Sequence, residues 1–358
     1  MQRPVSAALC LLATLVAGAG AASAQTSAQC YWDDLECRTV EGGLAAASPG
    51  QIDTVADAIT GTRARFETHF GRPAPQVAVV EGTGRLDAQR GQLETDGYPA
   101  ALPWITRAQK EDLKTAAIRK QVVDQLPPGT PDAVINGAVQ QALSKISKVS
   151  GESEDEIAAA KASEASALNH EIGHVLFMEA YWPDRESSGG KHYGGPAPDW
   201  FDETAALLME DDSMQQGRWD RLLDTYAEPD GFIPLDQLFS MQHPLLAAVQ
   251  AYRGKDGATG SQTGAIVITG EEADRLLRAA DIPDPELFYR QGLGLARYMM
   301  ETSGNPAIFG AIAEGLASGE TMESWLAADG AAAGLPGTVE ALEAAFLDWL
   351  STNAADRP

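Results

Sequence analysis

The apolar positions along this chain change period several times, and each change marks an element. Ile52, Val55, Ala56, Ile59, Phe66 and Phe70 recur mostly at three- and four-residue steps, which predicts an amphipathic helix over 52–70. Gly71 and then Pro73 close it, an ordinary helix stop. Residues 76–80 form a short β-branched run and predict a strand; 101–106 is a second candidate, after a turn-rich stretch over 82–99. Two helices are expected at 107–125 and 131–149, parted by Pro127-Pro128-Gly129, as an insertion or cover over a cleft. Ser153 and Glu156 offer a capping box for a long helix that runs toward Trp182 and stops at Pro183. The next helix starts after Pro198 and reaches Glu210. From there the pattern is mostly helical, with a short unit at 233–239 and helices over 285–300, 307–317, 322–328 and 339–350. A glycine-rich loop over 253–261 and a short strand or lid at 265–268 interrupt it.

The two ends of the chain differ in character. Arg3, an apolar core over 7–17 and Ala22-Ser23-Ala24 before Gln25 make residues 1–24 an export signal. The mature chain is then periplasmic or secreted. Cys10 lies inside the signal, so Cys30 and Cys37 remain as an even pair in an oxidising compartment and predict a disulfide. Residues 25–50 read as an exposed leader tied down by that bond, with Tyr31 and Trp32 as packing anchors. Residues 51–210 and 211–358 are expected as an N-terminal and a helical C-terminal subdomain. No later apolar run is long enough to span a bilayer, so no stable membrane insertion is expected after signal removal. A formal charge of −25 argues against nucleic acid and anionic membrane surfaces as partners.

The chemistry concentrates in Asn169-His170-Glu171-Ile172-Gly173-His174. Histidines four apart share one helix face, so His170 and His174 can converge on one ion. Glu171 between them can act on a water beside that ion. Only five histidines occur in the chain, and two of them stand here at ligand spacing. A catalytic zinc takes three protein ligands and a water. Phe177 and Ala180 exclude the metzincin continuation, which needs glycine and histidine at those places. The residues themselves leave the third ligand open among Glu203, His192, Asp199 and Asp202.

The stretch Trp200-Phe201-Asp202-Glu203-Thr204-Ala205 resembles the segment of gluzincins, including aminopeptidase N-like enzymes, where tryptophan precedes Asn-Glu-Gly-x-Ala. Asp202 stands for the asparagine of that pattern and Thr204 for its glycine. The resemblance implies that Glu203 is the third zinc ligand. Tyr289-Arg290-Gln291-Gly292 resembles the Tyr-x-x-Gly stretch of the same enzymes, which implies that Tyr289 donates a hydrogen bond to the reaction oxyanion. The helical tail is similar to that of exported peptidase-MA-like domains. The implied fold is α+β: a zincin-like domain, with a small sheet over the active-site helix, followed by a mostly α-helical part. The upstream Gly-x-Met-Glu-Asn stretch that holds a free amine in the aminopeptidases is missing here.

The expected activity is that of an exported Zn2+-dependent peptidase acting on a peptide or protein. His170, His174 and Glu203 hold the metal, Glu171 is the general base and Tyr289 the oxyanion donor; Asp202 or Glu210 orients a ligand histidine. The alternatives are an inactive zincin-fold module of the cell envelope, or a zinc hydrolase of a non-peptide amide or ester.

Overall fold

The computed structural model describes residues 30–146, 154–183, 195–228, 231–255, 278 and 283–356. One four-stranded sheet has the order β1 (Glu36–Val40), β2 (Gly43–Ala47), β3 (Val77–Glu81) and β4 (Ala100–Trp104). β1 and β2 form an antiparallel hairpin, and β2, β3 and β4 run parallel. Parallel neighbours need a crossover, and α1 (Ile52–Phe70) provides the one from β2 to β3. α1 ends as its sequence predicts, with Gly71 in the left-handed region at φ 64° and its N–H bonded to Glu67 O.

Alternate residues of the strands face opposite layers. Ala45, Ala47, Val77, Val79, Ala100, Leu102 and Trp104 join the main core with α1 and the long helix α5 (Glu154–Tyr181). Leu44, Ala46, Ala78 and Val80 face a smaller cluster made by Trp32, Leu86 and Leu93, the last from the short helix α2 (Arg90–Thr95). The Cys30–Cys37 disulfide is formed. Tyr31 and Trp32 pack beside it as expected, and the Tyr31 hydroxyl bonds Asp96 at the end of α2.

The exposed leader expected over 25–50 is not what the described part of that stretch forms. Residues 36–47 are two strands, and β2 is buried at every position between β1 and β3. Its sequence, Gly-Leu-Ala-Ala-Ala, hides this for two physical reasons. A strand covered on both faces shows no alternation, and alanine has little strand preference of its own.

After β4 the helices α3 (Arg107–Gln125) and α4 (Asp132–Ile146) form a hairpin with its own small core of Ile118, Ile135 and Val139. Thr106 and Gln109 cap α3 reciprocally, and the Arg107 N–H is bonded to the Glu164 carboxylate at 2.6 Å, tying the hairpin root to α5.

The remaining helices extend the helical part beyond α5. They are α6 (Asp199–Leu207), α7 (Asp212–Thr225), α8 (Leu235–Ser240), α9 (Pro244–Lys255), α10 (Pro285–Ser303), α11 (Ile308–Ala317), α12 (Met322–Trp325) with a π-turn over Leu326–Gly330, and α13 (Val339–Ala355). One apolar core runs from Ala45 in the sheet to Leu350 in α13, across both of the segments expected as subdomains. Phe66, Phe70, Phe177, Phe201 and Phe309 link α1, α5, α6 and α11 with ring centroids 4.6–6.4 Å apart. Each such aromatic pair adds about 0.5–1.5 kcal/mol beyond the area it buries.

The architecture is therefore α+β, a small sheet with a mostly helical remainder. The export signal, Ser153 of the capping box, loop residues 256–261 and the segment 265–268 lie outside the described residues. No helix among the described residues is long and apolar enough to cross a membrane.

Candidate metal centre

His170 and His174 lie one turn apart on α5, with ring centroids 4.9 Å apart and their Nε2 atoms 3.2 Å apart. Each ring has its other nitrogen committed. His170 Nδ1 bonds Glu210 at 3.0 Å, and His174 Nδ1 bonds Asp202 at 2.9 Å. A carboxylate only accepts, so Nδ1 carries the proton and the neutral ring keeps its lone pair on Nε2. Two Nε2 lone pairs are thereby aimed at one point. Carboxylates behind ligating histidines do this in metal sites generally.

The third group arrives on α6, a helix buried on all sides over Trp200–Leu207. It lies close against α5 because residue 173 is glycine. A Cβ on Gly173 would stand 2.9 Å from Ala206 Cα and 2.8 Å from Met209 Cγ. Glu203 is 1 % exposed, and neither of its carboxylate oxygens has a hydrogen-bond partner. The nearest nitrogens are His170 Nε2 at 3.4 Å, His243 Nε2 at 3.5 Å and His174 Nε2 at 3.7 Å. A buried carboxylate without hydrogen bonds is costly, by about 1–3 kcal/mol or more. A cation between it and the two imidazoles removes that cost. One ligand atom from each of His170, His174 and Glu203 lies within 4.8 Å of the others, so these residues can hold a metal ion.

The electrostatics agree with this. Burial opposes the charged form of His174 most strongly, but Asp202 and Glu203 outweigh it and raise the pKa to about 10. Burial likewise opposes a charge on His170, and Glu203 and Glu210 raise its pKa above the ordinary histidine value. Burial favours a protonated Glu203, yet the two histidines, His174 first, hold it down at about 2. Without metal the cluster is an ion pair, and a divalent cation competes with its protons.

The other expected residues are placed as follows. Glu171 is partly exposed and follows His170 on α5. Asp202 is the outer partner of His174, and Asp199 accepts the His243 N–H at 2.8 Å, so each has another role than third ligand. His192 lies outside the described residues. Tyr289 on α10 has its ring 6.3 Å from that of His170, and its hydroxyl lies 3.0 Å from His243 Nε2.

Comparison with protein-family models, curated proteins and solved structures finds no match. The chemistry of the centre is carried by its geometry.

Two residues of the centre escaped the sequence reading. Arg218 on α7 grips Glu210 with two hydrogen bonds of 2.8 Å and lies 5.2 Å from the Tyr289 ring centroid. His243, fully buried, stands before α9. The Leu245 N–H donates to His243 Nδ1 at 3.2 Å, which assigns the proton of the neutral ring to Nε2. That Nε2–H faces Tyr289 and Glu203 as a donor, so His243 in this tautomer does not fill a coordination position. The rarity of histidine in the chain was the one signal that could have flagged it.

Gly173→Ala tests the close approach of α5 and α6. The added methyl meets backbone as well as the Met209 side chain. Overpacking of this kind costs about 1–3 kcal/mol. A lower denaturation midpoint together with weaker metal binding is expected, read by urea melts and a chelator competition. Unchanged values in both would show that the contact does not position Glu203.

Proposed function

We propose that this chain is an exported zinc-dependent peptidase of the gluzincin kind, built on a zincin-like fold. The observation that carries the reading is the convergence of two oriented Nε2 lone pairs and one buried carboxylate without hydrogen bonds, directly beside Glu171. His170, His174 and Glu203 would hold the ion, and the donor-only His243 would not serve as a further protein ligand. Zinc bound there supplies a Lewis acid that polarises a carbonyl and lowers the pKa of water. Glu171 takes the proton of the attacking water and hands it to the leaving amine. Tyr289 donates to the oxygen on which negative charge develops. His243 Nε2–H is directed at the Tyr289 oxygen, which leaves the phenol proton available for that donation. Glu210, gripped by Arg218, and Asp202 keep the ligand rings in register. The Cys30–Cys37 disulfide supports export.

The test is elemental analysis of protein purified without added metal, followed by a peptide-library digest with and without chelator. Near-stoichiometric zinc is expected, with cleavage that chelator stops and zinc restores. Zinc without peptide cleavage, but with hydrolysis of esters or amides, moves the activity to a non-peptide substrate. No zinc even after reconstitution makes the chain a binding module.

A further inference from the structure

A cavity of about 490 Å³ opens between α7, α10 and α13, and it shares no residue with the metal centre. Trp219, Trp349 and Arg297 form its walls, with Glu301 at one side. The indole rings of Trp219 and Trp349 lie 5.1 Å apart, and the Arg297 guanidinium lies 5.3 Å from the Trp219 centroid. Arg297 and Tyr289 belong to the same helix, about 12 Å apart along its axis.

Arg297 lies against an aromatic ring rather than a carboxylate. Arg38, Arg63, Arg85, Arg218 and Arg290 each pair with a carboxylate. Among the described residues Arg297 has neither ion pair nor hydrogen bond; its contact is the face of Trp219, and only Asp220 and Asp212 act on it from a distance. Burial lowers its pKa, so its charge is already partly stripped of water. Trp349 adds a second donor without an acceptor, its Nε1–H. A guanidinium fork suits a carboxylate, which it can bind through two parallel hydrogen bonds. The two indoles give the cavity an apolar wall that suits the body of such a ligand.

We propose that this cavity binds a small monoanionic carboxylate carried on a flat apolar body, of the aryl- or indolyl-carboxylate class. Arg297 takes the carboxylate and the two indoles take the ring. Arg297 repels a cationic ligand.

The experiment titrates phenylacetate, and separately its uncharged isostere phenylacetamide, into ¹⁵N-labelled protein. The indole Nε1–H resonances of Trp219 and Trp349 are followed, each assigned by its Trp→Phe variant. Saturable shifts are expected with phenylacetate, and affinity weaker by about tenfold or more for the amide and for Arg297→Met. Arg297→Lys should fall between wild type and Arg297→Met. The titration should be unchanged after chelator treatment, which separates this site from the metal centre and from its function. Equal affinity for acid and amide, shifts abolished by chelator, or no saturable shift overturns the proposal. Because the acid–amide comparison uses wild-type protein, it decides the matter even if Arg297→Met fails to fold.

Discussion

Glu203→Ala is expected to strip the metal from this protein while leaving the chain folded. The three converging groups differ in what they contribute. The histidines supply neutral nitrogen donors, and Glu203 supplies the negative charge, from a position 1 % exposed to solvent. Losing an outer hydrogen-bond partner of a ligand costs metal sites about 10–100-fold in affinity. Removing a direct, charged ligand should cost more than that upper figure, so Glu203→Ala should fall below the affinity of Asp202→Ala or Glu210→Ala. Folding should survive, because Glu203 makes no hydrogen bond that the rest of α6 depends on. Without it His170 and His174 lose one of the carboxylates that raise their pKa values. Both can then settle as neutral rings still hydrogen-bonded to Glu210 and Asp202. The measurement is zinc per protein by mass spectrometry, beside a chelator competition and a thermal melt of the metal-free protein. Wild-type zinc retention would show that Glu203 is not the third ligand.

Local pattern made part of this molecule legible, and distance along the chain hid the rest. The period of α1, its glycine stop, the β-branched β3 and the proline after α5 all announce themselves within a few residues. The β1–β2 hairpin does not, because alanines buried on both faces look like a spacer. The centre divides the same way. His170, Glu171 and His174 are adjacent on one helix, so helical geometry alone brings the histidines together. Glu203 is marked in the sequence by a resemblance alone, and the structure brings it to the pair through the Gly173 contact. His243 is sixty-nine positions beyond His174 in the chain, and only the packing of α10 against α6 and α9 places it at Glu203 and Tyr289. Arg218 reads from sequence as one more surface cation, and only the fold turns it onto Glu210.

Glu171→Gln should bind zinc as wild type does and lose turnover. The change is nearly isosteric and keeps a polar group at a partly exposed position beside His170, so neither packing nor ligand geometry should move. What is lost is proton acceptance. A carboxylate takes a proton from water and releases it to the leaving amine; a carboxamide does neither at neutral pH. General-base catalysis is worth about 10²–10⁴-fold, and kcat is expected to fall by that amount with KM nearly unchanged. The pairing of observables gives the experiment its power. Lost turnover with full zinc assigns the proton transfer to Glu171. Lost turnover with lost zinc would mean that the centre had come apart, and the variant would say nothing about the base. Retained turnover with full zinc would remove Glu171 from the mechanism and require another group in reach of the water.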